Sequence, residues 1–234
     1  MKLQIKKFFQ TDDTYKENII KYTKVDGIIA VVYYLIFMIT YYGMGRVYAE
    51  KQIYLGITCN IGLAILCIMI VLIRKQKIGT VGLTLKKMKQ SIVLGIVLGV
   101  LIVLINNVIP SITSGCQFNQ ITKILYDMFY YFIIIAFVEE IAFRGFIQTR
   151  IYGLIKNDNI AIIVVSLMFS FMHIPFQMAL TGANIPSFIS SNVTWLILLF
   201  LWHIIFNFLH RKYNCIITNT IFHGFMDLGN NLFV

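Results

Sequence analysis

Long apolar runs separated by short polar connectors dominate the pattern of this 234-residue chain. A helix needs about 20 largely apolar residues to cross roughly 30 Å of hydrocarbon. Backbone groups in lipid must satisfy their own hydrogen bonds, and the strands of a membrane barrel are about half as long, so such runs predict helices. The expected fold class is therefore all-α, a polytopic transmembrane helical bundle. Its seven predicted spans are residues 27–44, 53–73, 92–109, 121–138, 160–178, 188–209 and 215–233.

Composition supports a membrane protein. Hydrophobic residues make up 59% of the chain, charged residues make up 13%, and the mean hydropathy is +0.79. Soluble domains are roughly 45–50% apolar and about 25% charged. The four cysteines, Cys59, Cys67, Cys116 and Cys215, show no metal-type spacing and are expected to be packing thiols.

The net charge of +10 raises the possibility of nucleic-acid binding, but the placement of the basic residues indicates another role. Six Lys and Arg precede Gly27 and six lie in 74–89, whereas 110–120 has none. Rich and poor connectors alternate, which is the positive-inside pattern and predicts a cytoplasmic N-terminus. The charge therefore indicates topology and contact with anionic membrane lipid, and no nucleic-acid partner is expected.

Ionisable residues divide the chain into parts. The first three predicted spans carry almost none, while the later ones carry several, so we predict N-terminal scaffold spans over 27–115 and a catalytic core over 116–234. Residues 1–26 form a basic cytoplasmic segment without the apolar core of a signal peptide. Its Phe8 and Phe9 lie among lysines, so this segment either lies on the inner membrane surface or is a solvated tail.

The first motif is the stretch "VEEIAFRGF". On a helix, Glu140 and Arg144 are four residues apart and can pair, while Glu139 is turned about 100° away from them. An unpaired carboxylate in an apolar cavity becomes a stronger base, which suits proton abstraction near neutral pH. The alternative is that both glutamates end the fourth span as solvated charges beside Arg144 and Arg150.

Two further motifs lie in later spans. "FSFMHIPF" places His173 inside the fifth span, where a lone histidine is more often packed than catalytic. "TNTIFHGFMDLGNN" places His223 and Asp227 four apart, on one face of a helix. His203 and Asn207 share that spacing, but their span is broadly apolar, so His203 is interpreted as structural. His210, beside Arg211 and Lys212, is interpreted as an interface residue.

At these residues the chain resembles the CPBP family of intramembrane peptidases, which comprises CAAX proteases and bacteriocin-processing enzymes and is also called the Abi or type II CAAX prenyl endopeptidase family. The resemblance covers about residues 121–234. The family's three motifs match, in order, Glu139–Glu140 with Arg144, Phe169 with His173, and His223 with Asp227. Better-known members carry Asn where Asp227 stands, so Asp227 is expected to be protonated, to orient His223 or to bind metal.

The resemblance implies hydrolysis of a peptide bond within or at the edge of the membrane. In the favoured mechanism Glu139 and His173 activate a water molecule, and His223 with Asp227 stabilises the oxyanion. Glu140 and Arg144 would fix the position of Glu139. The substrate would be a membrane-associated peptide or protein, of CAAX type or a bacteriocin or pheromone precursor, or the protein would serve bacteriocin self-immunity in a bacterial plasma membrane.

No cofactor is favoured, but the residues permit a Zn²⁺ ion. Two histidines and one or two carboxylates suit zinc with an open water site, and the ligands would then be Glu139, His173 and His223. Against zinc, no His-Glu-x-x-His helix is present, and the ligands would have to converge from three helices.

The bounds of the predicted spans place Glu139 and His173 at different depths, which conflicts with a single site that contains both. His173 lies about 20 Å along its span, whereas Glu139 lies at the inner end of the fourth span. Either the fourth helix continues beyond Arg144 with Glu139 buried, or the fifth helix begins below the membrane.

Two functions from other classes use the same residues. One is a non-catalytic immunity or partner-binding protein with the same fold. The other is a proton-coupled transporter with Glu and His as its relay, which the absence of internal repeats and the small number of spans disfavour.

Overall fold

The structure, a computed structural model, describes residues 10–234, and within them it contains eight helices. Across the same residues no named strand occurs, and one isolated bridge joins Phe118 to Phe233. The all-α prediction is therefore confirmed. The helices are α1 Asp13–Lys21, α2 Lys24–Lys51, α3 Gly56–Ile73, α4 Met88–Thr113, α5 Ile121–Gly153, α6 Asp158–Thr181, α7 Ile185–Tyr213 and α8 Ile217–Gly229.

Helices α2 to α7 are the six in the described part of the chain that are long and apolar enough to cross a membrane. The seventh predicted span forms α8, whose 13 residues are fewer than the roughly 20 that a span needs. Its flanking residues extend it: Ile216 N donates to Gly82 O at 3.1 Å at one end, and Val234 N donates to Gln117 O at 2.9 Å at the other. The C-terminal segment therefore still runs from one end of the bundle to the other.

Helix α5 departs most from its predicted bounds. The apolar run ends at residue 138, but the helix continues to Gly153. The prediction of a span ending at residue 138 is wrong, because the charged residues that follow are buried and do not flank the membrane. Arg144 is 0% exposed and Arg150 is 1% exposed, so the interpretation of these residues as solvated end charges is also wrong. Of the two solutions to the geometric conflict, the continued helix is the one the structure shows.

Arg150 anchors the basic connector 74–89 beneath the bundle. Its guanidinium donates to Gln76 Oε1 at 2.7 Å, to Thr80 O at 3.0 Å and to Thr80 Oγ1 at 2.6 Å. Close backbone approach supports this contact, since a Cβ built on Gly145 would lie 2.4 Å from Val81 O. We call this end of the molecule the lysine-rich end, defined by 74–89 and the first residues of α8.

The N-terminal helix α1 packs against the lysine-rich end. Asp12 caps it by accepting from Thr14 N at 2.9 Å, and Lys87 Nζ lies 2.6 Å from Asp12 Oδ2. Tyr15 is 1% exposed. Residues 10–26 are therefore docked and are not a solvated tail; residues 1–9, with Phe8 and Phe9, lie outside the described part of the chain.

Small residues allow α4 and α8 to pack closely. Ser91, Gly95 and Gly99 follow one another at four-residue spacing on α4, as in small-xxx-small membrane interfaces. A Cβ on Gly95 would lie 2.9 Å from Thr218 O, and one on Gly99 would lie 2.2 Å from Phe225 Cδ2. This contact fixes the depth and rotation of α8, the helix that carries His223.

Candidate active site

The two glutamates lie where α5 changes its helical geometry. Tyr130–Ala136 and Glu140–Ile147 are π-helical, and the short α-helical stretch Phe137–Glu139 separates them. A π-helical turn contains more residues than an α-helical one and is frequent at functional sites. This local geometry directs the polar side chains of α5 into the bundle.

Glu140 is the hub of the buried polar network. Its Oε1 accepts from Arg144 Nη1 at 2.9 Å and lies 3.1 Å from His223 Nδ1, while its Oε2 accepts from Asn219 Nδ2 at 3.0 Å. The Glu140 and Arg144 side chains are both 0% exposed. The ion pair predicted from their spacing is confirmed. Three donors occupy this carboxylate, which suits it to hold its neighbours in place.

Arg144 lies between two aromatic rings. Its guanidinium carbon is 4.0 Å from the centroid of Phe169 and 4.9 Å from that of Phe206. Cation–π contact of this kind stabilises a desolvated guanidinium by about 2 kcal/mol. Arg144 thereby connects α5 to α6 and α7.

Glu139 has the environment of a free base. It is 5% exposed, its Oε2 has no hydrogen-bond partner, and this oxygen lies 3.9 Å from His223 Nε2. The carboxylate left without an intrahelical partner, as the sequence predicts, is therefore present. Tyr41 of α2, which donates to Asn60 Oδ1 at 2.9 Å, lies within electrostatic range of Glu139. The first-half helices thus contribute to the surroundings of the site.

The contacts of His223 define the roles of its two nitrogens. A carboxylate only accepts, so Nδ1 carries the proton that it donates to Glu140. Nε2 then faces Glu139 at 3.9 Å and Asp227 Oδ2 at 3.5 Å. The Asp227 side chain is 29% exposed, and it marks the more open side of the cluster.

His173 lies at the break between the two parts of α6, Asp158–Phe171 and Ile174–Thr181. Its Nδ1 is 3.0 Å from Phe169 O, and because a carbonyl only accepts, Nδ1 holds the proton and Nε2 is an acceptor. Phe169 contacts both His173, at 5.1 Å between ring centroids, and Arg144. Phe169 therefore connects the second predicted motif to the first, and the contact between His223 and Glu140 connects the third to the first.

The other two histidines lie deeper toward the lysine-rich end. His203 contacts Gln148 Oε1 through Nε2 at 3.2 Å, in keeping with its interpretation as structural. His210 is 0% exposed, so its interpretation as an interface residue is wrong. Tyr15 of α1 covers it, with 5.5 Å between the ring centroids.

Two members of the site were missed in the sequence. Asn219 precedes His223 by four residues and so shares its helix face, a spacing that would have indicated it. Phe206 covers both Arg144 and His223, but an aromatic residue in an apolar span gives no signal of such a role.

The described residues give no support for the zinc site considered above. Across residues 10–234, no group of three His, Cys, Asp or Glu side chains is placed to hold one metal ion. The Nδ1 atoms of His223 and His173 contact Glu140 and Phe169 O, and each Nε2 remains for other partners.

Comparison with known proteins gives one match. Residues 121–229 match the family model described as type II CAAX prenyl endopeptidase Rce1-like, and this range contains every residue of the cluster from Glu139 to Asp227. No curated protein matches the chain, and no solved structure matches it. The matched family consists of membrane proteases, in agreement with the apolar helices and the buried polar site. Residues 121–229 are therefore similar to the Rce1-like type II CAAX prenyl endopeptidases, and this match supports a CAAX-protease family assignment for that part of the chain.

Proposed function

We propose that this protein hydrolyses a peptide bond of a membrane-associated peptide or protein through a glutamate-activated water molecule, without a metal ion. One observation carries the proposal. Oε2 of Glu139, which has no hydrogen-bond partner, faces Nε2 of His223, whose other nitrogen is fixed by Glu140.

Glu139 and His173 activate the water molecule. Both offer an acceptor, the free Oε2 of Glu139 and Nε2 of His173, and a water molecule can donate one proton to each. The water oxygen attacks the scissile carbonyl while its proton passes to Glu139. Glu139 then protonates the departing amine, so the carboxylate is regenerated and no acyl-enzyme forms.

His223 stabilises the oxyanion. With Nδ1 donating to Glu140, a protonated Nε2 is the remaining donor and points to the side of Glu139. A preorganised donor of this kind is commonly worth about 3–4 kcal/mol in the transition state. Asp227, 3.5 Å from Nε2, holds the ring in this orientation and stabilises its charge.

An apolar groove beside the site suits an apolar part of the substrate. It has a volume of about 530 Å³, and its walls come from α2, α6 and α7. Phe171 and Ile174, close to His173 in the sequence, belong to it, whereas His173 itself does not line it. The remaining lining residues are Met38, Ile39, Tyr42, Pro175, Met178, Ile185 and Ile189.

The substrate class follows from the family alone. Its name favours a CAAX-type carboxyl-terminal segment. Processing of a bacteriocin or pheromone precursor and bacteriocin self-immunity are alternative roles of the same chemistry, and each corresponds to a different peptide in the assay below.

Reconstituted cleavage tests the proposal. The purified protein in liposomes is given candidate peptides, and Glu139→Gln is compared with Glu50→Gln, a matched change at an exposed glutamate of α2. We expect Glu50→Gln to cleave like the unaltered protein and Glu139→Gln to lose about 10²–10⁴-fold in rate, as for removal of a general base. Equal rates for the two variants would refute the role of Glu139.

Metal dependence is tested in the same assay. We expect cleavage to continue in the presence of a chelator. Loss of activity together with stoichiometric zinc in the purified protein, and recovery on its return, would overturn the metal-independent mechanism. The non-catalytic immunity role is tested separately. If Glu139→Gln protected cells from a bacteriocin as well as the unaltered protein does, the protein would act by binding and not by cleavage.

A further inference from the structure

A seam of buried polar side chains extends from the site toward the lysine-rich end. It lies between α5, α7 and α8 and begins at Arg144 and Asn219, the two residues that hold Glu140 in the site. Every member is 0% exposed, and the members are Arg144, Gln148, His203, Asn207, His210 and Asn219.

The seam contains many polar atoms without a protein partner. These are Nε2 of Gln148, Nδ1 of His203, both amide atoms of Asn207, both ring nitrogens of His210, Oδ1 of Asn219, and Nε and Nη2 of Arg144. Buried polar groups in proteins are mostly hydrogen-bonded, either to protein or to ordered water. So many unpartnered donors and acceptors in one place indicate water molecules, each of which typically makes about three hydrogen bonds.

Side-chain contacts join members of the seam at two levels. At the upper end Asn219 contacts Glu140 at 3.0 Å, next to His223. Below it, Gln148 contacts His203 at 3.2 Å. His203, Asn207 and His210 follow on one face of α7 and cover about 10 Å of its length.

The lower end of the seam lies near the surface. The ring of Tyr15 packs at right angles to that of His210 and closes the seam there. The next residue of α7 is Arg211, whose Nη2 lies 2.9 Å from Asp158 Oδ2. The Asp158 side chain is 48% exposed. Tyr15 of the N-terminal helix and Gly82 of the connector, where an added Cβ would lie 2.9 Å from His210 Nε2, therefore separate His210 from the polar surface of the lysine-rich end.

We infer that this seam holds a file of water molecules that exchanges with the solution at the lysine-rich end and supplies the water consumed at Glu139. The groove between α2, α6 and α7 is lined mainly by apolar side chains and favours lipid or substrate over water. The supply role rests on the proposed hydrolysis; the water file itself does not.

Radiolytic footprinting tests the water file without any substrate. Hydroxyl radicals formed from bound water oxidise the side chains beside it, and mixing with ¹⁸O-water just before exposure shows whether that water exchanges. We expect His203 and His210 to be oxidised and to carry ¹⁸O. Tyr33 and Phe37 of α2, also 0% exposed, are the controls and should remain unmodified.

Two outcomes would overturn the inference. Oxidation of His203 and His210 as slow as that of Tyr33 would show a dry seam. Oxidation without ¹⁸O would show trapped water that does not reach the solution.

Substitution of Asn207 separates water supply from folding. Asn207→Leu fills the seam with an apolar group of similar size, whereas Asn207→Ser keeps both a polar atom and space. We expect Asn207→Leu to abolish the ¹⁸O label at His203 and to lower kcat at least tenfold, with KM unchanged. Asn207→Ser should retain the label and most of the turnover. An unchanged kcat in Asn207→Leu with the label lost would refute the supply role. If His203 and His210 carry ¹⁸O but the protein cleaves no peptide, the proposed hydrolysis is refuted and the water file is not.

Discussion

Nδ1 of His223 lies 3.1 Å from Oε1 of Glu140, on a carboxylate that also accepts from Arg144. The two adjacent glutamates thus differ in role. Glu140 is filled by donors and fixes an imidazole, while Glu139 keeps an oxygen free for the reaction.

Replacement of Glu140 should unfold the site. Glu140→Gln leaves the guanidinium of Arg144 buried without a counter-charge, which costs about 3–5 kcal/mol when one partner of a buried pair is removed. We expect a large loss of thermal stability in detergent, and Glu50→Gln as the exposed control should change little.

A double variant separates the charge from the hydrogen bonds. Glu140→Gln with Arg144→Met should regain much of the stability, because no charge is left buried, yet stay inactive because His223 loses its anchor. Wild-type stability in the single variant would contradict the buried ion pair.

Asp227 should tolerate replacement by its amide. An asparagine retains the shape and can donate a hydrogen bond to an oxyanion, so we expect Asp227→Asn to keep the cleavage rate within about tenfold, or about 1.4 kcal/mol. Asp227→Ala, which neither orients His223 nor donates, should fall well below it. Equal rates for the two variants would show that Asp227 takes no part in positioning.

The contact between α4 and α8 should be sensitive to a single methyl group. Gly95→Ala places a Cβ 2.9 Å from Thr218 O, a backbone atom that cannot rotate away. Gly62→Ala on α3 is the matched control, because nothing lies within 4 Å of its added Cβ. We expect Gly95→Ala to lower both thermal stability and kcat by shifting His223, and Gly62→Ala to lower neither.

Docking of α1 should depend on acid pH through Asp12. Burial alone would raise the pKa of Asp12, but the hydrogen bond from Lys87 and the charges of Lys87 and Lys86 outweigh it, so this pKa lies below its usual 3.8. The stabilisation is therefore complete above pH 3.8 and is lost as the pH falls through the lower folded value. Susceptibility of α1 to pepsin should rise only in that acidic range.

Asp12→Asn isolates the ion pair from the helix cap, since asparagine caps helices about as well as aspartate. We expect it to weaken docking by about 1 kcal/mol or less at neutral pH, because Lys87 is partly exposed, and to remove the acid dependence. An acid transition that persists in this variant would assign the dependence to another carboxylate.

Much of the fold was accessible from the sequence. Lipid leaves the backbone few alternatives, so apolar length alone predicted the helices. The spacing of Glu140 and Arg144 predicted their ion pair because i,i+4 neighbours meet on any helix. The bounds of α5 were wrong because charge normally marks a membrane surface, whereas here the pairing with Glu140 and two aromatic rings keeps Arg144 in the interior.

The partners of the site were less predictable. Which histidine joins the glutamates depends on how α7 and α8 pack, and His203–Asn207 and His223–Asp227 have the same spacing. The burial of His210 depends on Tyr15, almost two hundred residues earlier in the chain. Such contacts are set by tertiary packing and leave no periodic pattern.

The π-helical stretch Glu140–Ile147 also constrains the length of the chain. Removal of one residue from it would turn everything that follows by about 100° relative to the glutamates. Arg150 would then leave Thr80, or Glu139 would leave His223. Between the carboxylates and the arginine that holds the connector, this protein can therefore accept a changed side chain more readily than a changed number of residues.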